Sequence, residues 1–128
     1  MRLLLDTHAL MWTILTPARL SAKARDAISD ARSRVLVSVI NGWEIAVKKS
    51  LGKMAVPDDV EARITRACGG TGFELLAVEL RHAFEVQSLP WHHKDPFDRL
   101  LVAQARVERL TLVSIDRVVR AYDVDVLW

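Results

Sequence analysis

Short apolar runs rich in Leu and Val, separated by longer stretches of helical periodicity, constrain this chain more than any other feature. The runs are Leu3–Leu5, Val35–Val37, Phe73–Leu76, Leu112–Ser114 and Val124–Leu127. A strand with one wet face alternates apolar and polar residues. An unbroken run fits a strand covered on both faces, as parallel strands are. Between the runs, helical patterns span roughly 8–15, 22–32, 39–51, 58–68, 80–88 and 96–109. Ser21 suits the N-cap of the second of these. Pro57 opens the fourth, with Asp58, Asp59 and Glu61 complementing its dipole, and Gly69–Gly70 end it. Leu80, Ala83 and Phe84 form an apolar stripe on the fifth. Alternating strands and helices predict a three-layer α/β/α sandwich with a central, mainly parallel sheet. The 128 residues suit one domain, 1–128.

Composition narrows the class. With 51% hydrophobic and 27% charged residues, the chain has a globular balance and not a disordered one. The single cysteine, Cys68, has no internal disulfide partner and suits a reducing compartment. Asp6 interrupts the N-terminal apolar run too early for a signal peptide, and no apolar stretch approaches the ~18 residues of a membrane span. A cytoplasmic protein without a membrane segment is expected. The net charge of +2 is weak support for a nucleic-acid partner. If several acids gather in one pocket, however, the remaining surface is more positive than that figure, as a phosphodiester substrate would require.

In parallel α/β sheets, ligands bind outside the carboxyl ends of the strands. Asp6 follows the first apolar run directly, and Asp116 lies just beyond the fourth, so both are expected on that edge. Either could instead be a turn residue or helix cap. Glu44 lies at i+4 in the spacing Ile40, Trp43, Val47, Leu51, among residues expected to face inward. A carboxylate there is costly unless a cation or strong donors compensate, and such groups tend to mark sites. The competing reading is an i,i+4 pair with Lys48. In DPFDRLLVAQA, Pro96 suits the first helical position, which makes Asp95 the N-cap and frees Asp98 to project into the site.

Asp6, Glu44, Asp98 and Asp116 offer only hard oxygen donors, which favour Mg²⁺ or Mn²⁺ over zinc. One cysteine and the adjacent pair His92–His93 make a poor zinc set. No nucleophile elbow or phosphate-cradling glycine loop is present. Metal-assisted phosphodiester hydrolysis is the reaction class that fits.

These residues resemble those of PIN-domain ribonucleases, and more closely the VapC-type toxins of toxin–antitoxin pairs. The likeness runs through LLLDTHALMW, NGWEIAVKKSLGK, DPFDRLLVAQA and TLVSID, nearly the whole chain. It implies that Asp6, Glu44, Asp98 and Asp116 form the catalytic, metal-binding cluster. It also implies that Thr7, Ser114 and Asp95 support the ligands, with His8 near the substrate side. A PIN-like fold, an RNA substrate, Mg²⁺ or Mn²⁺, homodimerisation and a cognate VapB-type antitoxin follow as expectations. One departure is Asn41–Gly42, where similar sequences carry a Ser shortly before Trp43. A helical Gly costs ~1 kcal/mol relative to Ala, so it either loosens the start of that helix or lets another backbone approach.

Arg99, Arg117 and Lys48 are candidate RNA contacts beside the proposed ligands. The tryptophans Trp12, Trp43, Trp91 and Trp128 are expected in core or subunit packing more than in base stacking. His93 and His92 read as loop histidines ahead of a general acid. The alternative to a nuclease is a catalytically inactive PIN-like module acting through protein or nucleic-acid complexes. Receiver and haloacid-dehalogenase patterns need acids that are absent beside Asp6, where Thr7 and His8 stand.

Overall fold

The computed structural model describes residues 1–70 and 72–128. Five strands form one sheet: β1 (Arg2–Leu5), β2 (Arg34–Ser38), β3 (Glu74–Leu76), β4 (Thr111–Val113) and β5 (Val126–Leu127). The order is β3-β2-β1-β4-β5 and every pairing is parallel, with Leu3 beside Val35 and Leu4 beside Leu112. Six α-helices connect them: α1 (Thr7–Leu15), α2 (Ala22–Ser29), α3 (Val39–Ser50), α4 (Val60–Ala67), α5 (Leu80–Glu85) and α6 (Pro96–Glu108).

Alternate residues of one strand serve opposite layers, which is why the runs of the central strands β1, β2 and β4 are continuous. Leu4, Leu36 and Leu112 pack with Leu101, Val102 and Ala105 of α6. Leu3, Leu5, Val35 and Val37 pack on the other face with Ala9, Leu10, Ala24 and Val60. Full burial of such a side chain stabilises the fold by about 1.5–3 kcal/mol. The expected three-layer sandwich is therefore the observed architecture.

Details depart from the sequence reading where tertiary contacts decide. The fifth helical pattern breaks into α5 and a 3₁₀ turn at Val86–Ser88, and a 3₁₀ turn at Arg117–Ala121 gave no sequence signal. The Leu80/Phe84 stripe points outward, and the buried residue of α5 is His82. Its Nδ1 accepts the Glu79 N–H at 3.0 Å while its Nε2 meets Glu108 at 2.8 Å, so a polar network replaces apolar packing. The edge strand β3 leaves Leu75 exposed.

Helix α3 is rotated from the expected face. Trp43 and Leu51 are exposed, while Ile40, Asn41, Glu44 and Ile45 are buried. Hydrogen bonds make that polar face affordable. Asn41 accepts the Ser38 N–H at 2.8 Å, completing a capping box, and donates to the Leu5 carbonyl and Thr7 hydroxyl, each at 3.2 Å. Asn41 thus clamps the start of α3 to the end of β1. A Cβ on Gly42 would meet nothing within 4 Å, so no backbone approaches there. Gly42→Ala is expected to raise stability by about 0.5–1 kcal/mol through helix propensity, read as a melting point a few degrees higher.

Candidate metal centre at the carboxyl edge of the sheet

Strand β1 is the centre of the sheet. The chain winds from β1 to β2 and β3 on one side, then crosses back to β4 and β5 on the other. The crevice between the ends of β1 and β4 is thus a topological switch point, where α/β sheets bind ligands. Asp6 follows β1 there, and the buried Ser114 follows β4.

Asp6 is buried and N-caps α1, accepting the Ala9 N–H at 2.7 Å. The capping role foreseen as the alternative is real, yet one cap does not satisfy a buried carboxylate. Burial raises its pKa, against the lowering pull of the Ser114 hydroxyl, the Ala9 N–H and His8, while Glu44 adds repulsion.

Glu44 is only 3% exposed. Thr7 donates its hydroxyl to Glu44 Oε1 at 2.6 Å, and Lys48 pairs with Oε2. Both sequence readings of Glu44 hold together: it points inward and it pairs at i+4. Burial works against the Lys48 charge, but Glu44, with Asp95 and Asp98 beyond it, outweighs this and raises the lysine pKa. Lys48 therefore turns into the acidic pocket instead of out to solvent.

Asp95 caps α6, accepting the N–H groups of Phe97 at 2.9 Å and Asp98 at 3.0 Å. Asp98 is left free of capping, and its pKa is pushed up to about 6. Burial is the main cause, followed by the charges of Asp95, Glu44 and Asp6, with His93 pulling the other way. Asp6, Glu44 and Asp98 thus sense one another across a single pocket. Asp116 joins less directly. It is half-buried, caps the turn that follows through Val118 N–H at 2.9 Å, and donates its own N–H to Ser114 Oγ at 3.1 Å.

This donor set fits a hard divalent ion, because its oxygens are clustered carboxylates whose mutual repulsion a cation would relieve. Among the described residues, three ligand atoms within 4.8 Å of one another occur elsewhere, at Glu79, His82 and Glu108. That group is closed by Arg81, whose guanidinium holds Glu79 at 2.7 Å and Glu108 at 2.5 Å. The central acids do not meet that spacing, and Lys48 pairs with Glu44 among them.

Three expectations change. Arg99 is not available to RNA: it is 2% exposed and its guanidinium is spent on backbone. Nη1 donates to Pro90 O at 2.8 Å and the Tyr122 hydroxyl at 3.1 Å; Nη2 donates to Val86 O and Leu89 O, both at 3.3 Å. Trp43 and Trp91 lie outside the core, being 52% and 74% exposed, which leaves only the subunit-packing half of their expectation. Trp43 meets Phe97 edge-on at 4.8 Å, and Trp91 lies over Arg99 at 3.8 Å. Trp12 and Trp128 do pack together, with His8 against Trp12. His93 is more than a loop residue, since its ring touches both Asp98 and Tyr122. Arg117 is exposed beside Asp116.

A parallel α/β/α sandwich with a carboxylate pocket at its switch point defines the class. The PIN domain family model matches residues 3–125, and the chain belongs to that family. In fold it is similar to VapBC2 from Rickettsia felis, solved bound to a DNA fragment from their promoter: TM-score 0.75, 14% identity, 99% of this chain and 98% of that one. It is also similar to FitAcB from Neisseria gonorrhoeae: TM-score 0.67, 16% identity, 98% of this chain and 96% of that one. No curated protein matches it in sequence. No helix among the described residues is long and apolar enough to cross a membrane.

Proposed function

We propose that this PIN domain is a Mg²⁺- or Mn²⁺-dependent endoribonuclease of the VapC toxin kind, restrained by a cognate VapB-type antitoxin. The observation that carries this reading is the pocket of Asp6, Glu44 and Asp98 at the switch point, with Asp116 tied in through Ser114. Asp6, Asp98, Asp116 and Glu44 would hold the ion. When bound, it supplies an activated water and offsets charge on the scissile phosphate.

The chain's own residues prepare that chemistry. Thr7 and Asn41 fix the Glu44 side of the pocket to the end of β1. The Asp95 cap sets the first turn of α6 and so the place of Asp98. Lys48 and Arg117 supply cations for the substrate backbone. The choice of RNA rests on the sequence resemblance, as do the antitoxin, the homodimer and the cytoplasmic setting. The exposed Leu75, Leu80 and Phe84 support a subunit contact.

The test is incubation of purified, antitoxin-free protein with total cellular RNA and Mn²⁺ or Mg²⁺, with new 5′ ends mapped by sequencing. Discrete cuts that vanish with chelator are expected. Cleavage that is indifferent to chelator would sink the metal reading.

A further inference from the structure

Four side chains from two distant segments form an unbroken polar line that ends on the pocket. Arg99 Nη1 lies 3.1 Å from the Tyr122 hydroxyl, which lies 2.7 Å from His93 Nδ1; His93 Nε2 lies 3.3 Å from Asp98 Oδ2. We propose that His93, held by Tyr122, is the positioning residue that orients Asp98 for the ion. This rests on the reading of Asp98 as a metal ligand.

The direction of the line follows from its members. A guanidinium only donates, so the phenol oxygen accepts from Arg99. At the other end an ionised Asp98 only accepts, so Nδ1 of a neutral His93 is left to accept the phenol's own proton. A neutral His93 ring then carries its hydrogen on Nε2 and donates it to Asp98. The second nitrogen of an imidazole is set by the bond that the first one makes. The bond falls on Oδ2, which leaves Oδ1 for an ion.

Holding the loop in place does not require this imidazole. Arg99 already gathers the carbonyls of Leu89 and Pro90, and Asp95 caps the helix that follows. Tyr122 is buried and closes the 3₁₀ turn that Asp116 begins. The line therefore couples the start of α6, with Asp98, to the segment that carries Asp116. Hydrogen bonds of this kind orient ligating carboxylates, and losing them typically lowers metal affinity roughly 10–100-fold.

The experiment is calorimetric titration of Mn²⁺ alone into wild type, Asp98→Asn, His93→Ala, His93→Gln and Tyr122→Phe, with melting points and the imidazole ¹⁵N spectrum of each. Wild type should bind, and Asp98→Asn should not. His93→Ala should weaken binding about 10-fold or more, and His93→Gln, which keeps an N–H donor, should recover part of it. Tyr122→Phe should weaken binding and erase the Nε2–H tautomer of His93, even if His93→Ala fails to fold. Folded His93→Ala and Tyr122→Phe proteins that bind Mn²⁺ as wild type does would overturn the inference and leave the metal site standing. A wild type that binds no Mn²⁺, or binds it equally after Asp98→Asn, would instead overturn the metal-site reading and this inference with it.

Discussion

Replacing Asp98 by asparagine is expected to abolish metal-dependent RNA cleavage, by more than roughly 100-fold, while making the metal-free protein more stable at neutral pH. The activity loss should exceed the 10–100-fold typical of residues that only orient ligands. The stability gain follows from the carboxyl's own pKa of about 6 in the folded chain, against about 3.9 when unfolded. A raised pKa means that the folded state binds the proton more tightly. That contribution is fully present below about pH 4 and is lost as pH rises through 6. Well above pH 6 the charged Asp98 opposes folding by about 3 kcal/mol. Asparagine removes the charge and keeps an oxygen to accept from His93. In chelator, the variant should melt a few degrees above wild type at pH 7.5, and the difference should close by pH 4. A variant that melts below wild type throughout would contradict the crowded-carboxylate account.

The largest effect on folding is expected at Arg99. Its guanidinium joins the carbonyls of Val86, Leu89 and Pro90 to the Tyr122 hydroxyl. Arg99→Ala strips these acceptors of their donor, Leu89 O and the Tyr122 hydroxyl being buried, and is expected to cost about 3–5 kcal/mol. That is a large share of the ~5–15 kcal/mol that holds a typical domain together. Arg99→Lys should recover little, because a single ammonium cannot reach acceptors spread across a planar fork. Urea unfolding of the two variants provides the check. An Arg99→Lys midpoint equal to that of wild type would return Arg99 to the surface role that the sequence suggested.

The two predictions divide along what the sequence can express. Asp98 was legible because Pro96 and Asp95 mark the start of α6 by local rules, and the third helical position follows by counting. Asp6 was legible from its place after a buried strand. The inward setting of Glu44 was anticipated, although Trp43 and Leu51, used to define its stripe, face solvent. Glu44 turns inward for a reason that the apolar pattern does not contain: Asn41 and Thr7 carry the polar side of the rotated α3 on hydrogen bonds to the end of β1 and to Glu44.

By itself, then, the sequence determined the strand–helix alternation, the parallel three-layer sandwich, the capping of α6 and the acids that meet at one edge. These depend on residue period and on neighbours within a turn or two. Tertiary structure alone decided that Arg99 is a buried clamp, that the α5 stripe faces out around a buried His82, and that Tyr122 reaches His93 across 29 positions. Each is a choice of hydrogen-bond partner between segments distant in sequence. A guanidinium or an imidazole has the same local pattern whether it meets water or a carbonyl, and only the folded chain brings the carbonyl to it.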